Sequence, residues 1–265
     1  MVLHGGPDFD HTYLLPELDQ LADSFRLLYY DQRGRGRSAP GVAPDDVSIV
    51  TEVEDLDGLR DFFGLEKLTL LGHSWGGLLG MEYAVRHPDR VSHLILMNSV
   101  PGTYEGRSRL RDHLTSIRTS EESERLETLR NGSEFSSGDI EVEAEYLRIH
   151  FRAGLSDSDA IEKIVSRART HFTPDTIVLA RAIEQRLYDQ TWLRQDFDLL
   201  SPLSRRPVPT LLIHGDTDMI PVDLAAHIAE VIPDSRLSVL DGCGHFAYME
   251  RPEEVHRLVT DFLAV

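Results

Sequence analysis

Gly72-His73-Ser74-Trp75-Gly76 places a serine between glycines, after an apolar run and before an amphipathic stretch. A serine hydroxyl is a poor nucleophile at neutral pH. It becomes useful when a sharp strand-to-helix turn projects it and a base lies within hydrogen-bond reach. Glycines on both sides relieve crowding in such a turn. Among twelve histidines, His245 in Gly242-Cys243-Gly244-His245 follows the last predicted strand, where a loop can carry it over the serine. His4 and His73 belong to tight turns, and His214 ends a strand. The base needs a carboxylate to fix its tautomer and stabilise the imidazolium. Gly215-Asp216-Thr217-Asp218-Met219-Ile220-Pro221 follows another apolar run, and Asp218 is assigned this role with Asp216 as the alternative. The implied chemistry is acyl transfer. Charge developing on the substrate oxygen would be met by the backbone N–H groups of Trp75 and of Gly6, the latter in His4-Gly5-Gly6-Pro7.

The elements that must position these groups follow from hydrophobic patterning. Short, nearly continuous apolar runs at residues 26–30, 68–71, 92–97, 210–214 and 236–240 read as strands buried on both faces of a parallel sheet. Helical spacing links Val53, Leu56, Leu59, Phe62 and Phe63, and again Leu78, Met81, Tyr83 and Ala84. Further helices are expected over 222–231 and from Pro252 to about Phe262. Residues 101–201 lack a convincing strand. They form charged amphipathic pieces broken at Gly132, Gly138, Gly154 and Pro174. The expected organisation is therefore an α/β core from residues 1–100 and 202–265, with a helical lid inserted at 101–201.

Composition removes several function classes. A net charge of -18 opposes nucleic-acid binding, which requires a basic face. No apolar run approaches the roughly 20 residues of a membrane-spanning helix, and no secretory leader is visible, so cytoplasm is the expected location. Cys243 is the only cysteine, which excludes an intrachain disulfide and reads as a small buried apolar residue. No glycine fingerprint for a dinucleotide and no metal-ligand spacing occurs, so no cofactor is expected.

Three segments together resemble the proline iminopeptidase branch of the α/β-hydrolases. They are His4-Gly5-Gly6-Pro7, Asp31-Gln32-Arg33-Gly34-Arg35-Gly36-Arg37-Ser38 and Gly72-His73-Ser74-Trp75-Gly76-Gly77. The resemblance implies the α/β-hydrolase fold and the chain order nucleophile, acid, base. It also implies release of an N-terminal residue from peptides, with the free amine held by lid carboxylates. Ala180-Arg181-Ala182-Ile183-Glu184 is similar to the lid segment that supplies one such acid, which makes Glu184 the candidate here. Asp8 stands where the branch usually has glycine, and its Trp-x-x-Trp-Glu lid motif is absent. In this fold His-Gly-Gly-Pro follows the third strand, so the first edge strands are expected to be missing. Residues 26–30 would then form a bare edge needing cover, for instance in a homo-oligomer. The leading expectation is an aminopeptidase acting on short peptides or aminoacyl amides. A carboxylesterase or lactonase using the same triad is the second reading, and a non-catalytic small-molecule receptor the third.

Overall fold

The computed structural model describes residues 1–155 and 158–264. The first half comprises β1 (Val2–Leu3), α1 (Ile49–Phe62), β2 (Leu68–His73), α2 (Trp75–Arg86) and β3 (Val91–Met97). A helical stretch follows: α3 (Tyr104–Ile117), α4 (Ser120–Asn131), α5 (Ser133–Ser136), α6 (Ile140–Phe151), α7 (Ser158–Ala168), α8 (Pro174–Gln190) and α9 (Leu200–Arg205). The chain then closes with β4 (Thr210–Gly215), α10 (Val222–Val231), β5 (Ser235–Leu240), α11 (Ala247–Glu250) and α12 (Pro252–Leu263).

The five strands pair in parallel in the order β1-β2-β3-β4-β5. One row of register partners crosses the sheet, Val2, Leu71, Ile95, Leu211 and Arg236. Every residue of β4 is buried, as are Leu94–Met97 of β3, because helices cover both faces. α2 is buried almost all round, which explains why its apolar positions show no clean stripe.

Chain direction sets where a site can form. After β1 the chain moves outward, and Tyr29 forms a single parallel bridge to Val2. It returns through α1 to β2, on the other side of β1. The strand order therefore reverses beside β1, and a crevice opens at the carboxyl ends of β1 and β2. His4-Gly5-Gly6-Pro7 and Ser74 lie at those two ends.

One expectation fails. Residues 26–30 are not a strand: only Tyr29 bridges, because β1 is two residues long and offers few backbone partners. The helix over Val53 and Leu56 forms, but it does not bury Phe62 and Phe63. Phe62 is 79% exposed and stacks edge-on against Phe63 at the free end of α1. Periodicity alone cannot tell where a helix outruns the sheet it covers.

Between Tyr104 and Arg205 the described residues carry helices and no strand, apart from a single antiparallel bridge of Asp198 to Thr103. The expected breaks fall at element boundaries: Gly132 caps α4, Gly138 follows α5 at φ +76°, Gly154 sits in the turn after α6, and Pro174 opens α8. No helix of the described residues is long and apolar enough to cross a membrane.

Candidate active site

Ser74 sits between β2 and α2 with φ 54° and ψ −118°, a conformation that L-residues rarely adopt. Its neighbours must be small. A Cβ on Gly72 would lie 2.3 Å from the Gly76 carbonyl oxygen, and one on Gly76 would lie 2.1 Å from that of Leu3. Turn and sheet therefore pack backbone to backbone, and the serine hydroxyl is pushed outward.

His245 Nε2 lies 3.1 Å from Ser74 Oγ, and His245 Nδ1 lies 2.9 Å from Asp218 Oδ1. A carboxylate only accepts, so Nδ1 carries the proton and Nε2 is free to take one from the serine. Asp218 is buried and also accepts from Ile220 N–H at 2.9 Å and Asn98 Nδ2 at 2.8 Å. Burial works to raise its pKa, but the charges of His245 and His214 and the hydrogen bonds from His245 and Ile220 N–H hold it below the usual carboxylate value. Asp216 is exposed, and its carboxylate accepts from Cys243 N–H at 3.1 Å instead. The structure thus brings Asp218, not Asp216, to His245.

Asn98 carried no sequence signal. It follows β3 at φ 47° and its amide donates to both Asp218 and the Gly244 carbonyl, at 2.8 and 3.0 Å. A further brace comes from the helical stretch. The His245 N–H donates to the Gly154 carbonyl at 2.6 Å, so the loop bearing His245 is tied to the turn after α6.

The glycine turn after β1 is wedged against the serine. A Cβ on Gly5 would meet the His73 carbonyl at 2.7 Å and Ser74 Cβ at 2.8 Å. Gly6 adopts φ +47°, and Trp75 is the first residue of α2, so its N–H has no intrahelical acceptor. His4 accepts the Gln32 N–H at Nε2, 3.0 Å away, while Gln32 Nε2 donates back to the His4 carbonyl at 2.9 Å. Arg35 is buried and pairs with Glu52 at 2.7 Å. The Asp31–Ser38 motif is therefore a brace for the turn, and Arg35 is not a solvated loop arginine.

These groups open into a cavity of about 800 Å³. Its walls include Ser74, His245, Phe151, Tyr188 and the lid residue Glu184. Glu184 accepts from Tyr188 Oη at 2.8 Å, and burial together with the charge of Asp8 raises its pKa to about 8. Asp8 lines the same cavity, and burial raises its pKa as well. Sequence reasoning passed over Asp8 as a departure from pattern; its place two residues after Gly6 was the available signal. Arg181 pairs with Glu143 and stacks 3.3 Å over the Phe135 ring.

Two other clusters have structural explanations. Cys243 is fully buried, and desolvation pushes its thiol to about 12, so it is not a thiolate at neutral pH. Asp10, His11 and Asp31 converge in a spacing that would suit a metal ion. Their atoms are engaged, however: His11 Nδ1 with Asp31 at 2.5 Å, Asp31 with Arg37 N–H at 2.9 Å, and Asp10 with His171 at 2.8 Å.

The sequence profile described as alpha/beta hydrolase fold matches residues 1–252, and the chain belongs to that family. Over 99% of its length it is 27% identical to a proline iminopeptidase of Lactobacillus helveticus, covering 88% of that protein. It is 30% identical to a putative carbamate hydrolase, RutD, of Pseudomonas savastanoi pv. phaseolicola, over 99% of this chain and 93% of the relative. Among solved structures, a thermophilic esterase from Thermogutta terrifontis superposes with a TM-score of 0.67 at 27% identity, over 99% and 88% of the two chains.

Proposed function

We propose that this hydrolase is a serine aminopeptidase of the proline iminopeptidase type, cleaving an N-terminal residue from short peptides or aminoacyl amides. Residues 101–201 act as its lid. Ser74 Oγ attacks the substrate carbonyl while His245 Nε2 takes its proton and Asp218 steadies the imidazolium. The N–H groups of Gly6 and Trp75 receive the oxyanion. Collapse transfers the proton to the departing amine, leaving an ester on Ser74, and water activated by His245 then releases the acyl group.

One observation carries the peptidase reading over a general hydrolase. Asp8 and Glu184 stand in the wall of the same cavity as Ser74, and burial first, then the charge of Asp8, suppress ionisation of Glu184. Two carboxyl groups that resist sharing one desolvated site are relieved by a cation, and a substrate ammonium supplies it. The relative named as a proline iminopeptidase supports the same reading.

The test is a panel of aminoacyl amides with free and acetylated amines, beside neutral acyl esters. The free amines should be turned over far faster than their acetylated forms. Glu184→Gln should penalise the free amines and spare the blocked ones. Acetylated substrates that equal or exceed the free ones would favour a carboxylesterase or lactonase. For that second reading the apolar wall of Leu110, Leu114, Leu147 and Phe151 would be the acyl pocket.

A further inference from the structure

Arg107, Arg111, Leu114 and Arg118 recur along α3 and its C-cap at intervals of four, seven and eleven residues. At about 100° per residue these positions fall within an arc of roughly 60°. All four line the cavity that holds Ser74, and Arg130 of α4 lines it too. Arg109, on another face of α3, pairs instead with Asp223.

Charge makes this wall unusual. The chain carries a net charge of -18, and most of its arginines find a carboxylate, as Arg111 does with Asp112 and Arg125 with Glu145. Among the described residues, Arg107, Arg118 and Arg130 have no carboxylate within ion-pair distance. Arg118 meets only His150 Nδ1, at 3.3 Å, and Arg130 meets the hydroxyl and ring of Tyr146. Burial lowers the Arg118 pKa, and the charge of Arg130 adds to the shift, while Tyr146 and the more distant Glu122, itself paired with Arg152, act against it. His150 is pushed to about 3, first by burial and then by Arg118, so it is neutral at pH 7 and its Nδ1 can accept from Arg118 without adding positive charge. A partly desolvated guanidinium such as that of Arg118, without a counter-ion, is costly, and an incoming anion removes the cost.

We propose that Arg118 and Arg130, held beside the stacked rings of His150 and Tyr146, form an anion subsite, and that the substrate carries a carboxylate which binds there. The planar fork of an arginine matches a carboxylate in two parallel hydrogen bonds, and the neighbouring Leu110 and Leu114 keep the pair partly dry. The anion subsite requires only that this cavity is where Ser74 works. Joined to amine capture by Asp8 and Glu184, which rests on the reading above, it defines a zwitterionic substrate. That substrate is a short aminoacyl compound whose leaving part ends in a free carboxylate.

Two matched substrate pairs test this. One is a dipeptide with a free C-terminal carboxylate and the same dipeptide as its C-terminal amide. The other lacks an amine: 4-acetoxybenzoate and 4-acetoxybenzamide. The quantity read is the ratio of kcat/KM, anionic over neutral, for the wild-type enzyme, R118Q/R130Q and R118K/R130K. Because both members of a pair are measured on one preparation, any loss of folded enzyme cancels. The wild-type ratio is expected to be roughly 10 to 100. It should collapse toward one in the glutamine variant and lie between in the lysine variant. A wild-type ratio of one or less, or a ratio indifferent to both arginines, overturns the proposal. A preference seen in the ester pair with no turnover of either dipeptide supports the anion subsite and overturns the amine reading. Protection of Ser74 from a phosphonate label by glutarate, against glutaramide, reads the same preference without turnover. Equal protection by the two compounds counts against the subsite.

Discussion

Tyr13 and His73 are joined by a hydrogen bond of 2.7 Å that links the glycine turn to the loop carrying His245. Tyr13 Oη accepts the Gly5 N–H at 2.6 Å and donates to His73 Nδ1. His73 Nε2 in turn donates to the His245 carbonyl at 2.8 Å. Burial drives the His73 pKa down to about 3, so the ring stays neutral in this single tautomer. The turn that offers Gly6 and the loop that offers the base are thereby set relative to each other.

Tyr13→Phe should therefore leave Gly5 N–H and His73 Nδ1 buried and unpaired. A loss of about 1–3 kcal/mol in unfolding free energy is expected from urea melts. A fall in kcat of about tenfold should accompany it, since a small misplacement of base or oxyanion donor weakens transition-state contacts. A variant with unchanged kcat would mean that the relay is packing alone.

The acid of the triad is testable by a pair of substitutions. Asp218→Asn should lower kcat by about 10⁴-fold, because an amide favours the wrong imidazole tautomer. Asp216→Asn, which alters an exposed loop contact, should stay within a few-fold of wild type. Similar losses at both positions would contradict the role given to Asp218.

How far this was legible in sequence depends on range. The elbow was readable because its glycines, its strand and its helix are contiguous in residues 68–86. Asp218 and His245 were readable because each follows an apolar run. The choice between Asp218 and Asp216 turned on loop geometry, and sequence could order the two but not separate them. Asn98 left no mark because its role depends on φ 47° at the end of β3. Asp8, Arg118 and Arg130 were invisible as a site, since they meet only when the helices of residues 104–190 fold over the sheet. Phe62 keeps the helical phase read from its spacing, but it lies beyond the surface that α1 covers.

Glu184 should leave two pH signatures. A free-amine substrate needs the carboxylate, so its kcat/KM should rise as pH increases toward about 8, until the amine itself deprotonates. Glu184→Gln should flatten that limb, and amine-free esters should not show it. The same group affects stability with the opposite sense. Its folded pKa lies above the ordinary 4.5, so the unfolded chain releases the proton first and stability falls as pH rises from about 4.5 to about 8. Glu184→Gln should remove that decline, raising Tm at pH 7 more than at pH 4. A Tm difference independent of pH would place Glu184 in ordinary solvent.

The central claim is that Ser74 is the covalent nucleophile. Intact-protein mass spectrometry after exposure to a serine-directed aryl phosphonate addresses it most directly. Wild type should gain one phosphonyl adduct, mapped to the peptide containing Ser74, and His245→Ala should label far more slowly. Ser74→Ala should gain none. An adduct that persists in Ser74→Ala, or one that maps to another residue in wild type, would contradict the account.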